Sequence, residues 1–149
     1  MRRGPSAGPL PSRPVMAMCL RLNAASIAVP SGAEAGHIAP SGRAVPADAP
    51  RLMIVAPMSG HFATLLRGTV ERMLERCVVY ITDWADAKFV PLADGSFDLD
   101  DYIDYLIEFL EHIGPGAHAM AVCQPSVPMF AATAVMAVKE HPCRPVSLT

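Results

Sequence analysis

Three things are missing from this sequence, and each removes a class of function. No apolar run reaches the roughly 18 to 20 residues that a membrane-spanning helix needs, so an integral membrane protein is not expected. No C-x-x-C pair occurs, and Cys19, Cys77, Cys123 and Cys143 show no metal-ligand spacing with the five histidines. The reading is a reduced, cytoplasmic protein with no structural zinc and no cofactor. Lysine and arginine form no clustered face and the net charge is −2, so electrostatics give no reason to propose nucleic acid as a partner.

Aromatic residues are also missing from the first fifty positions; all nine lie between Phe62 and Phe130. The same fifty residues hold eight of the fifteen prolines and five of the ten glycines, with neither helical nor strand periodicity. Residues 1 to 50 therefore read as a disordered or spurious leader, and the core is expected within 51 to 149. Val15 to Val29 is mildly apolar and is followed by Ala33-Glu34-Ala35. Arg21 and Asn23 interrupt it, however, and four prolines crowd its start, so it makes a poor export signal.

From Arg51 the pattern is regular. Leu52 to Ala56 is a continuous apolar run closed by Pro57, as expected of a strand buried on both faces. Leu65, Leu66, Thr69, Val70, Met73 and Leu74 then recur at helical spacing. Cys77 to Thr82 reads as a second buried strand, followed by a polar stretch from Asp83 to Asp86. Asp98 is placed as the N-cap of a helix whose apolar positions are Leu99, Ile103, Leu106, Ile107 and Leu110, ended by Gly114-Pro115-Gly116. His118 to Val122 reads as a third strand, Pro125 to Val138 as a helix buried on nearly every side, and Val146 to Leu148 as the start of a fourth strand. Alternation of this kind predicts an α/β fold, a parallel sheet with helices on both faces. Ligands of such sheets bind at the carboxyl ends of the strands. Pro57 to His61 and Cys123-Gln124-Pro125 fall there.

A nucleophile on a sharp strand-to-helix turn is the elbow usually written G-x-S-x-G. The equivalent residues here are Ala121-Val122-Cys123-Gln124-Pro125. Ala121 is small enough for close packing, and Pro125 suits a first helical turn because its missing N–H needs no partner there. A thiolate is favoured at a helix N-terminus, although free cysteine more often acts as a small buried hydrophobe. An elbow of this kind works with two oxyanion donors, one after the nucleophile and one from the loop after an earlier strand. Gln124 is the candidate for the first, and Met58 or Ser59 for the second. His61 precedes Cys123, whereas the acid and histidine of α/β-hydrolases follow the nucleophile, so His61 is not assigned as base. Only His141 and Glu140 follow Cys123. Asp83 and Trp84, at the end of the second strand, are placed to line a substrate cleft but read first as capping or packing residues, and Asp101, Asp104, Glu108 and Glu111 read as a solvated helix face.

Four words of the sequence carry a resemblance. A-P-M-S-G-H-F-A-T-L-L-R-G-T-V (Ala56 to Val70), Y-I-T-D-W (Tyr80 to Trp84), F-D-L-D-D-Y-I-D-Y-L (Phe97 to Leu106) and A-V-C-Q-P (Ala121 to Pro125) make Arg51 to Thr149 similar to the intracellular polyhydroxyalkanoate depolymerases. That resemblance implies a partial α/β-hydrolase fold and a Cys-Asp-His triad, with Cys123 attacking ester bonds of poly(3-hydroxybutyrate) at the storage-granule surface. It also implies that the triad acid and histidine follow later strands, so the chain as given is expected to be an inactive fragment. Two alternatives are kept: a polyhydroxyalkanoate synthase-like acyltransferase, which shares the hydrolase fold and cysteine nucleophile, and a non-catalytic granule-binding protein that uses exposed apolar surface.

Overall fold

The computed structural model describes residues 48–58, 66–84, 90–91, 93 and 95–149, together with the backbone pairing of 18–22 and 26–27. In chain order the elements are β1 (Met18–Leu22), β2 (Ser26–Ile27), β3 (Arg51–Val55), α1 (Arg67–Met73), β4 (Val78–Trp84), α2 (Leu99–Ile113), β5 (His118–Ala121) and α3 (Ser126–Val138).

β3 is the centre of the sheet. It runs parallel to β4 on one edge and to β5 on the other, with Ile54 opposite Ile81 and Val55 opposite Ala121. A strand so placed is covered on every side, which is why Leu52 through Ala56 carries no polar side chain and is buried throughout. Full burial of Met53, Ile54 and Val55 is worth about 2 kcal/mol each. The chain is thus α/β, with three parallel strands and helices. Among the described residues no helix is long and apolar enough to cross a membrane.

Four features bear on the expected elements. First, β1 and β2 lie within residues 1 to 50; β1 adds antiparallel to the free edge of β4, and β2 to β1. An open strand edge can recruit a segment whose own sequence lacks periodicity, because the main chain makes the bonds. The rest of 1–47 lies outside the described residues.

Second, β4 continues through Asp83 and Trp84, so the expected polar stretch is partly strand. Third, α2 buries Tyr102, Leu106, Phe109, Leu110 and Ile113, while Leu99 is 53% exposed. Its buried face is rotated toward the aromatics because Tyr102 and Phe97 pack against Trp84, with ring centroids 4.6 and 6.3 Å from it. The cap itself is as expected: Asp98 accepts from the N–H groups of Asp100 and Asp101, and Asp101 accepts from that of Asp98. Fourth, α3 buries Pro128, Met129, Ala132 and Met136 but leaves Val127, Phe130 and Val138 exposed. Among the described residues only α2 and β5 pack on it to any extent.

The last residues follow the edge of β5. Val146 and Thr149 N–H donate to the carbonyls of Ala117 and Ala119, while Ala119 and Ala121 N–H donate to those of Ser147 and Thr149. Only Leu148 forms a bridge, parallel to Ala119, so the fourth run is a short extended stretch alongside β5.

Candidate functional site

Cys123 stands two residues past the end of β5 and three before the first residue of α3. Its φ is +69°, a left-handed conformation for a residue with a Cβ. Such a conformation costs on the order of 1–3 kcal/mol and persists where the surroundings impose it. The other described non-glycine residue with positive φ is Glu140, at +49°, which follows the C-cap of α3 as residues at helix ends commonly do. No helix ends at Cys123. Its geometry comes from the reversal that turns a strand into a helix running back across the sheet.

The turn is clamped from the helix side. Ser126 N–H donates to the Cys123 carbonyl at 3.1 Å, and Ser126 Oγ donates to the same oxygen at 2.5 Å. Val127 N–H reaches the Gln124 carbonyl at 3.3 Å, and Met129 N–H the Pro125 carbonyl at 3.0 Å. Pro125, buried with φ −65°, occupies the N-cap position, one residue earlier than an N1 proline. The thiol of Cys123 is free and the residue exposed, whereas Cys77 and Cys143 are half-buried. Cys123 is therefore not the buried hydrophobe that a free cysteine commonly is.

Because Val55 is in register with Ala121, the chains leaving β3 and β5 depart from the sheet side by side, at a strand spacing of about 5 Å. This brings the start of the β3–α1 loop, Ala56 to Met58, alongside the turn that holds Cys123. Met58 is half-buried and packs against the core, so its side chain is occupied with packing and its backbone N–H remains the candidate donor. Gln124 is exposed at the helix start. Ser59 and His61 lie outside the described residues.

The loop is held by contacts that sequence reasoning missed. Thr82 Oγ1 accepts the Ala56 N–H at 2.8 Å, and Trp84 Nε1 donates to the Ala56 carbonyl at 2.8 Å. The word T-D-W at a strand end was the signal, since alternate residues share a face. Ser126 was missed as well, although a hydroxyl three residues after a turn residue commonly bonds back to its carbonyl.

His141 and Glu140 are not brought to Cys123. They follow the far end of α3, whose 13 residues span about 20 Å. His141 Nε2 instead lies 3.0 Å from Glu111 Oε1, and its Nδ1 accepts the Cys143 N–H at 3.2 Å. His112 closes α2 and His118 opens β5, both at the amino edge of the sheet, so no described histidine stands beside the thiol. The acidic residues of α2 form no cluster able to hold a metal among the described residues. Asp101 serves the helix cap and Glu111 serves His141.

No protein family, curated protein or solved structure matches the chain.

Proposed function

We propose that this chain carries the nucleophile and oxyanion-hole part of an ester-cleaving site of the α/β-hydrolase type, acting on stored poly(3-hydroxyalkanoate) in the manner of the intracellular depolymerases it resembles. The observation that carries this reading is the left-handed, exposed Cys123 between a parallel strand and a helix. A strained elbow lifts a nucleophile clear of its neighbours so that an acyl carbon can approach it. Strand order adds support. The connection from β3 to β4 and that from β4 back across β3 to β5 run in opposite directions. Right-handed crossovers then put α1 on one face and α2 and α3 on the other, and the reversal point falls between β3 and β5. Met58 and Gln124 supply candidate donors on the two sides of that crevice.

The chemistry is nucleophilic acyl transfer. The Cys123 sulfur adds to the ester carbonyl, the developing oxyanion is met by backbone N–H groups, and the alcohol departs to leave a thioester. With no described histidine beside the thiol, the thioester is expected to persist. The test is the 149-residue chain incubated with p-nitrophenyl butyrate and with 3-hydroxybutyrate oligomers, followed by intact mass. An acyl adduct on Cys123, absent from Cys123→Ala, supports the reading. An unmodified Cys123 under conditions where iodoacetamide alkylates it readily sinks it.

A further inference from the structure

The residue that begins the β3–α1 loop is fastened by side chains. Paired residues of β3 and β4 end at Ile54 and Ile81, and Ala56 lies past the last residue of β3. There Thr82 and Trp84 satisfy both backbone groups of Ala56, each at 2.8 Å. Ala56 and Thr82 are fully buried and Trp84 nearly so, which leaves no water to substitute for either bond. The indole is itself held edge-on against Tyr102. Pro57, also buried, follows immediately. Its ring fixes φ and removes an N–H, so the orientation set at Ala56 passes to Met58 with little slack.

Resting on the reading of Cys123 as an ester-cleaving nucleophile, we infer that Thr82 and Trp84 are positioning residues, aiming the Met58 N–H at the oxyanion that forms beside Cys123. They touch neither substrate nor sulfur; they act through the backbone of Ala56 and Pro57. This gives β4, which carries no reacting group, a part in the chemistry.

Two reactions of one sulfur separate this role from a structural one. In acylation by p-nitrophenyl butyrate, the thiolate adds to the carbonyl carbon and the carbonyl electron pair moves to oxygen. The intermediate then collapses with expulsion of p-nitrophenolate, the thiol proton having gone to buffer. In alkylation by iodoacetamide, the same thiolate displaces iodide and no oxyanion forms. Both rates are measured at Cys123 by peptide mass in the full chain and in Thr82→Val, Thr82→Ser and Trp84→Phe. Misaiming a donor is expected to slow acylation about tenfold in Thr82→Val and Trp84→Phe, less than outright loss of a donor. Alkylation should stay near the wild-type rate and Thr82→Ser should restore acylation. Thr82→Val, close to isosteric, carries the test if Trp84→Phe does not fold. Acylation unchanged in Thr82→Val, or acylation and alkylation falling together, overturns the positioning role while leaving Cys123 as nucleophile. A wild-type chain that is alkylated but never acylated overturns the ester-cleaving reading itself, and with it the reaction that the positioning serves.

Discussion

Ser126 Oγ donates to the carbonyl oxygen of Cys123 at 2.5 Å, and that carbonyl belongs to a residue at φ +69°. The first turn of α3 thus holds the nucleophile candidate in a conformation that its own Cβ resists. Glycine has no such resistance. Cys123→Gly is therefore expected to be more stable than Cys123→Ala by about 1 kcal/mol, the reverse of the usual order, because alanine keeps the Cβ and glycine does not. Urea denaturation of the two variants measures the difference. Equal stabilities, or a more stable alanine variant, would show that Cys123 is not held left-handed.

The three described cysteines should separate cleanly. Cys77 precedes β4 and Cys143 packs against the core beyond α3, both half-buried, whereas Cys123 is exposed at the elbow. Cys123→Ala is expected to abolish acyl-adduct formation. Cys77→Ala and Cys143→Ala should leave it within about twofold and lower stability by up to about 1 kcal/mol, the size of a small core truncation. Adduct mass and thermal midpoints of the same samples decide this.

What was legible in the sequence is what depends on local pattern. Leu52 to Ala56 announced a doubly buried strand, and Asp98 with Asp101 announced a capped helix, because burial period and cap chemistry are written in adjacent residues. The strand-to-helix turn at Cys123 was legible from Cys123-Gln124-Pro125 lying between a strand pattern and a helix pattern. The tether of Ala56 by Thr82 and Trp84 was not, since it depends on the register between β3 and β4. The rotated face of α2 depended likewise on where Trp84 lands, and β1 on the presence of an open edge at β4. Each of these is a tertiary relation imposed on a segment by a partner distant in sequence.

Arg51 ties the start of β3 to the end of α2. Its guanidinium donates to the carbonyl oxygens of Ile113 and Pro115, either side of Gly114, which has φ +89°. Helix ends leave carbonyls without partners, and a cation there satisfies them and complements the helix dipole. Arg51→Met keeps the aliphatic stem and removes the donors. The expected loss is about 1–2 kcal/mol, the lower part of the range for charged hydrogen bonds because the pair is partly solvated. Arg51→Lys should recover only part of it, since one ammonium does not reproduce a fork spanning two carbonyls. A chemical denaturation series over the three proteins reads this directly.

Tyr102 makes the last prediction, through a hydroxyl that is buried without a hydrogen-bond partner among the described residues. Burial pushes the phenol above its ordinary value, because the ionised form would lose its hydration. The sign of the pH dependence follows. Below about pH 10, the usual tyrosine value, the phenol is neutral in both folded and unfolded chains and contributes no slope. Above it the unfolded chain releases the proton while the folded chain keeps it, so the folded state binds more protons and stability falls as pH rises. Tyr102→Phe removes that linkage and also the unpartnered hydroxyl, while keeping the ring that packs against Trp84 at 4.6 Å. The variant is expected to be more stable than wild type by about 1 kcal/mol at pH 7, with an advantage that widens between pH 9 and about pH 11. Thermal midpoints of both proteins across that range test it. A Tyr102→Phe protein less stable at pH 7 would mean that the hydroxyl has a partner in the folded chain, and parallel pH profiles would mean that the phenol ionises as readily folded as unfolded.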